Sequence, residues 1–179
     1  MIETELGNLR RSHYSNELNA SMDGTQVTVM GWVLTVRGHG NISFATVRDK
    51  NGDLSIVAKK GDCPDEIREK ISSLKAHSSI GVIGTIKASE KAPSGFEIIP
   101  NELRVFSEVT TIPPFEPTAK TVKNIDTRLE VRPIDLRRDV LQHIFKTRSL
   151  VLKTIRDYFN DQNFVEINTP KMIATATEG

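Results

Sequence analysis

The chain has 179 residues, 37% hydrophobic and 26% charged, and its 24 Lys plus Arg against 23 Asp plus Glu leave a formal net charge of +1. That length suits one ordinary domain, or one small domain with part of another, and excludes a large multidomain enzyme within this stretch. The single cysteine, Cys63, excludes a disulfide framework and a multi-cysteine zinc site, and the chain lacks both an apolar leader and a run of about 18 apolar residues, so a cytoplasmic, non-membrane protein is expected.

In chain order, the β-branched run TQVTVMGWVLTVR (25–37) predicts a long strand, with Val27, Val29, Gly31, Val33 and Thr35 on one face. ISFATVR (42–48) predicts a second strand and Leu54 to Ala58 a third, joined through Asp49-Lys50-Asn51-Gly52-Asp53, where Asn-Gly accepts positive φ. Ile67, Ile71 and Leu74 recur at helical spacing behind Pro64, which predicts a short helix. Strands follow over 79–87 and 96–106, with Pro100 marking a bulge, bend or edge in the last. Five strands with a helix after the third is the order of an OB-fold barrel, whose strand face and loops commonly bind oligonucleotides. Another small barrel or sandwich shares that order.

Residues 111–138 change character. Pro113, Pro114 and Pro117 cluster, and IDTRLEVRPIDLRR mixes Arg with Asp without an apolar period, which predicts a linker or hinge. Beyond it Asp139 reads as an N-cap, and Leu141, Ile144, Phe145, Leu152, Ile155 and Phe159 recur at helical intervals, predicting a helix of about 20 residues. NFVEINTP then predicts a strand. Such a helix and strand need more chain or a second subunit to cover their apolar face, so the last third is either a dimerisation arm or the start of a further domain.

Short strings along the chain then become recognisable: His13-Tyr14-Ser15, Gly31-Trp32-Val33, RDKNG at 48–52, GFEIIP at 95–100, DTRLEVRPIDLRR at 126–138 and FVEINTPKMIATATEG at 164–179. In this order and spacing the sequence closely resembles the archaeal and eukaryotic type of aspartyl-tRNA synthetase, a class II aminoacyl-tRNA synthetase. The resemblance implies an OB-fold anticodon-binding domain over 1–110, a hinge over 111–138, and over 139–179 the first helix and strand of an α+β catalytic domain, cut off in motif 1. It further implies an enzyme that uses ATP and Mg²⁺ to activate L-aspartate and transfers the aspartyl group to tRNA, working as a homodimer. The ATP-binding motifs 2 and 3 are not in this sequence. No catalytic residue is therefore assigned, and the 179-residue piece alone is expected to bind tRNA without forming adenylate or holding a cofactor.

The same resemblance assigns residue roles. Phe44, which pattern alone would place in the core, becomes the residue that stacks on an anticodon base, a contact worth about 1–3 kcal/mol. Arg37 faces the anticodon backbone or a base edge; otherwise it is a solvated strand-end arginine. Glu97 accepts hydrogen bonds from a base, a role suited to a carboxylate because it reads donors. Ser55 departs from the Gln common at its place, which reads the central anticodon uracil, and is too short for the same readout, so either a neighbour or a water substitutes or the base is read more loosely. Leu34 and Pro93 stand at positions that separate relatives restricted to aspartate tRNA from relaxed ones, and they point to an enzyme that also charges asparagine tRNA. Pro93 as a plain turn former is the alternative.

Pro170 resembles the motif 1 proline of the dimer interface, and Asn163 replaces the usual Gly before Phe164 as a left-handed cap. Glu178 matches the carboxylate that binds the amino group of aspartate, a strong charge-assisted contact in a closed pocket. Lys59, Lys60, Arg137, Arg138 and Lys146 are either phosphate contacts or ordinary solvated charges. The four histidines show no metal spacing; only His39, read as part of the loop after the first strand, is expected near RNA, and Cys63 is expected to be inert. Residues 1–110 hold 13 basic and 14 acidic side chains, so RNA binding by this domain has to rely on placed residues. The competing assignments are an asparaginyl-tRNA synthetase and a non-catalytic OB-fold tRNA-binding module.

Overall fold

The computed structural model describes residues 2, 3, 5–117, 119, 121 and 123–170, and its chain divides into two compact units, Met1–Thr111 and Ile112–Gly179. The first unit is mainly β. Its strands are β1 (Ile2–Glu3), β2 (Gln26–His39), β3 (Ile42–Arg48), β4 (Asp53–Lys59), β5 (Ser79–Ala88) and β6 (Phe96–Ser107), with helix α1 (Asp65–Ser73) between β4 and β5. The five expected strands and the helix are all present. A sixth strand, β1, adds to β6 in parallel through Ile2↔Leu103 and Glu3↔Arg104; two residues are too few for a sequence period to reveal.

Antiparallel pairing runs β4–β3–β2–β5–β6, and β6 also meets β4 in parallel through the single pair Ile56↔Ile98, so the order returns on itself. Inside lie Val27, Val29, Val33, Val47, Leu54, Ile56, Ile80, Val82, Ile86, Ile98 and Leu103. Ile67 and Ile71 of α1, one helical turn apart and fully buried, join the same core. Burying such side chains contributes roughly 1.5–3 kcal/mol each and is what selects this arrangement.

Two turns differ from expectation. β2 runs on through His39, which pairs with Ile42, and the reversal is the two-residue turn Gly40-Asn41 with Gly40 at φ 56°. His39 is therefore a strand residue. The β3–β4 turn does not use positive φ at Asn51 or Gly52; instead the Asp49 carboxylate accepts from the N–H groups of Asn51 at 2.7 Å and Gly52 at 3.1 Å. A side chain thus does the work expected of Asn-Gly, as Asp does in Asx turns. Pro100 behaves as expected, lying beside a register shift where β5 passes from Ile83↔Glu102 to Gly84↔Pro100.

In the second unit, the stretch expected as a linker or hinge carries two short helices. α2 (Ile125–Glu130) and α3 (Arg132–Asp135) fold around the fully buried Asp135, whose carboxylate takes Arg128 Nε at 2.9 Å, Arg132 Nη1 at 2.5 Å and Arg138 Nη1 at 3.7 Å. The Arg and Asp that obscure an apolar period are the packing itself. Helix α4 (Asp139–Asp161) follows; its N-cap is Arg138, and Asp139 is its first helical residue.

The C-terminus of α4 is a Schellman cap. Asn163 is left-handed at φ 63°, its N–H reaches Asn160 O, and Phe164 N–H reaches Phe159 O at 3.0 Å while the two rings pack edge to face 5.5 Å apart. Over 164–170 the backbone has no regular secondary structure, so the described part of the expected strand is not formed. Ile144, Phe145, Leu152, Ile155 and Phe159 of α4 are all exposed.

Candidate nucleic-acid interface

The site is set up by one irregularity in β2. Val33 pairs with Val47 and Thr35 with Thr46, leaving Leu34 as an extra residue without a partner. This bulge reverses the alternation of the strand. Before it Val27, Val29 and Val33 point inward; after it Val36 packs on the core, and Thr35 and Arg37 turn out to solvent. Uninterrupted alternation places Thr35 on the inner face, and the bulge corrects that expectation.

Outward residues of three strands then meet. Arg37 pairs across to Phe44, and Thr35 to Thr46, which in turn pairs with Ser55 of β4. Phe44 is 40% exposed, while its neighbours Ser43 and Ala45 are buried. The core reading of Phe44 is thereby excluded. Together with His39 and with Pro93 from the β5–β6 loop, these residues line a cleft of about 470 Å³. The loop is fixed by hydrogen bonds from Ser89 N–H to Gly95 O at 3.0 Å and from Gly95 N–H to Ala92 O at 2.9 Å.

The cleft combines an exposed aromatic face, a guanidinium and a set of hydroxyls. Such a surface can stack a base, attract a phosphate and hydrogen-bond a base edge. It gathers Arg37, Phe44, Ser55 and Pro93, but not every residue singled out from sequence. Glu97 is half-buried on β6 opposite Lys87, outside the cleft lining, and Leu34 is the half-buried bulge residue. Thr35 and Thr46 join the site without having been expected there. Thr46 is detectable as the residue two beyond Phe44 on the same strand face; Thr35 is hidden by the bulge.

A second cleft of about 650 Å³ is lined by Arg11, Tyr14, Trp32, Asp49, Lys50 and Phe106 among others. The Tyr14 ring holds the Arg11 guanidinium 4.4 Å and the Lys50 ammonium 4.1 Å from its centroid. The buried Asp49 carboxylate of the same cleft accepts from Ser15 N–H and Ser15 Oγ, both at 2.7 Å. Burial raises the Asp49 carboxyl, but the Ser15 hydroxyl and the N–H groups of Asn51, Ser15 and Gly52 outweigh it and hold the group below its ordinary range. His13-Tyr14-Ser15 and RDKNG, separate strings in the sequence, are thus parts of one assembly.

Of the cations expected as phosphate contacts, Lys59, Lys60 and Lys146 are exposed, whereas Arg137 and Arg138 are half-buried and Arg138 faces Asp135. Burial pushes the half-buried Cys63 thiol up, in keeping with an unreactive group. Among the described residues no group of three or more His, Cys, Asp or Glu could hold a metal ion, and no helix is long and apolar enough to cross a membrane. Pro170 is exposed; Glu178 lies outside the described residues.

Comparison with known proteins finds one family match in each unit. Residues 27–106 match the OB-fold nucleic acid binding domain of tRNA anticodon-binding proteins, and residues 124–179 match the class II tRNA synthetases (D, K and N). The chain is 43% identical over 174 residues to the aspartate–tRNA(Asp/Asn) ligase of Methanococcus aeolicus, covering 97% of this chain and 40% of that protein. It is 45% identical over 170 residues to the enzyme of the same name from Methanocaldococcus jannaschii, covering 95% and 39%. Among solved structures, asparaginyl-tRNA synthetase from Pyrococcus horikoshii in complex with asparaginyl-adenylate superposes with a TM-score of 0.84 at 27% identity, covering 96% of this chain and 39% of that one. The chain thus spans about 40% of the length of these relatives. It carries an OB-fold nucleic acid binding domain followed by the start of a domain of the class II tRNA synthetases (D, K and N).

Proposed function

We propose that the chain is the anticodon-binding and motif 1 portion of an aspartate–tRNA ligase that charges the tRNAs of both aspartate and asparagine. The observation that carries the RNA-binding half is the exposed Phe44, set beside Arg37 over a hydroxyl-lined cleft of about 470 Å³. The amino acid and the double tRNA specificity are supported by the relatives 43% and 45% identical, both named aspartate–tRNA(Asp/Asn) ligase. In this reading Phe44 stacks on an anticodon base, Arg37 and Glu97 contact the same loop, and Leu34 and Pro93 set how strictly the anticodon is read.

The intact enzyme acts in the cytoplasm as a homodimer that joins through the exposed apolar residues of α4 and through Pro170, with Glu178 holding the aspartate amino group. ATP and Mg²⁺ belong to its activation step, and the described residues offer no ligand set for the metal.

The test is aminoacylation by the protein expressed from its whole reading frame, with each tRNA and each amino acid supplied in turn. Transfer of aspartate to both tRNAs is expected. Charging of aspartate tRNA alone overturns the relaxed specificity, and charging with asparagine in place of aspartate overturns the assignment.

A further inference from the structure

Thr35, Thr46 and Ser55 stand side by side on β2, β3 and β4, each the register partner of the next. Thr35 Oγ1 and Thr46 Oγ1 are already hydrogen-bonded at 3.2 Å, and all three residues line the cleft into which Phe44 opens. The row exists because the Leu34 bulge turns Thr35 outward; with regular alternation its hydroxyl would lie on the core side.

We infer that Thr46, backed by Thr35 and flanked by Ser55, reads the edge of the base that stacks on Phe44. This rests on the anticodon-binding role proposed above for the cleft and adds to it a specificity-determining residue. A hydroxyl both donates and accepts, and it rotates to suit its partner. With Thr35 donating to the Thr46 oxygen, the Thr46 proton is free to turn to a base acceptor, and hydroxyls linked in this way polarise one another. Neighbouring strands lie roughly 4.8 Å apart, close to the separation of the two exocyclic groups of a pyrimidine. Thr46 and Ser55 therefore match a pyrimidine edge, and a purine presented to the same row would need more depth.

The experiment measures binding of RNA anticodon stem-loops, carrying each base in turn at each anticodon position, to the 179-residue chain and its variants. Thr46→Val removes the hydroxyl while keeping the shape and strand preference of the residue. It is expected to lower the preference for a pyrimidine at the position that stacks on Phe44 by roughly three- to tenfold, and Thr46→Ser is expected to restore most of it. Unchanged base preference in a folded Thr46→Val protein, with Phe44→Ala still weakening binding, overturns the inference and leaves the role of the cleft standing. Unchanged binding in Phe44→Ala overturns both.

Discussion

Ser15 and Asp49, 34 residues apart, are joined twice, the Asp49 carboxylate accepting the Ser15 N–H and the Ser15 hydroxyl at 2.7 Å each. The same carboxylate builds the β3–β4 turn through Asn51 and Gly52. One buried side chain therefore fastens the N-terminal segment to the hairpin. Asp49→Ala is expected to lower unfolding stability by about 1–3 kcal/mol, since it takes the acceptor from four part-buried hydrogen bonds at once. Chemical denaturation of the two proteins checks this; a loss under about 0.5 kcal/mol would show that water replaces the carboxylate without cost.

Removing the exposed ring of Phe44 should leave the core untouched and cost binding alone. Phe44→Ala is expected to weaken anticodon stem-loop affinity by about 1–3 kcal/mol, with the melting temperature nearly unchanged. Arg37→Gln should weaken binding of all sequences alike and reduce the slope of log affinity against log salt by about 0.7. Titrations at several salt concentrations separate the two effects.

Gly31 is held by contact with its neighbours. A Cβ there would lie 2.4 Å from the Arg48 carbonyl oxygen and 2.8 Å from Val47 Cγ1. The β2–β3 pairing would have to open to admit it, so Gly31→Ala is expected to destabilise the domain by about 1–3 kcal/mol. The adjacent exposed Trp32 supplies a fluorescence signal for the unfolding curve.

The Asp135 cluster predicts a pH dependence. Burial alone would raise this carboxyl, but hydrogen bonding and charge from Arg128, and then Arg132, hold it below its ordinary range. A carboxyl depressed in the folded state contributes stability that is complete above its unfolded value of about 3.9 and is lost as pH falls through the folded value. The protection of the amides over 125–138, measured against their intrinsic exchange rate at each pH, should therefore hold at neutral pH and fall only below about pH 4. Asp135→Asn should make exchange fast at neutral pH as well, by roughly 3–5 kcal/mol of lost protection, because the guanidiniums lose their shared counter-charge.

The strands with a clean period of two, β3 and β5, can be read from sequence almost to the residue, as can the Ile67 and Ile71 face of α1. Legibility fails wherever one residue changes the meaning of those after it. Nothing local marks Leu34 as unpaired, so the period alone puts Thr35 on the wrong face. Asp135 is hidden because a carboxylate shared among arginines leaves no apolar signature. The strand expected after Phe164 rests on two alternating residues, and the Phe164 ring instead packs back on Phe159. At the site, Arg37, Phe44, Ser55 and Pro93 come from the family resemblance and not from pattern, whereas Thr46 needs only the observation that it shares a face with Phe44.

The Leu34 bulge also leaves β2 with one residue in reserve. Because facing is set by counting along the strand, loss of Leu34 would close the bulge into a regular ladder, with Val33 and Val36 still inward and Thr35 and Arg37 still outward. β3 has no such reserve. Loss of one residue between Phe44 and Val47 would carry the Phe44 ring into the buried place of Ala45 and empty the cleft of its aromatic face. The two strands that build the site therefore differ in how freely they can change length: β2 can shorten by one without disturbing the cleft, and β3 cannot.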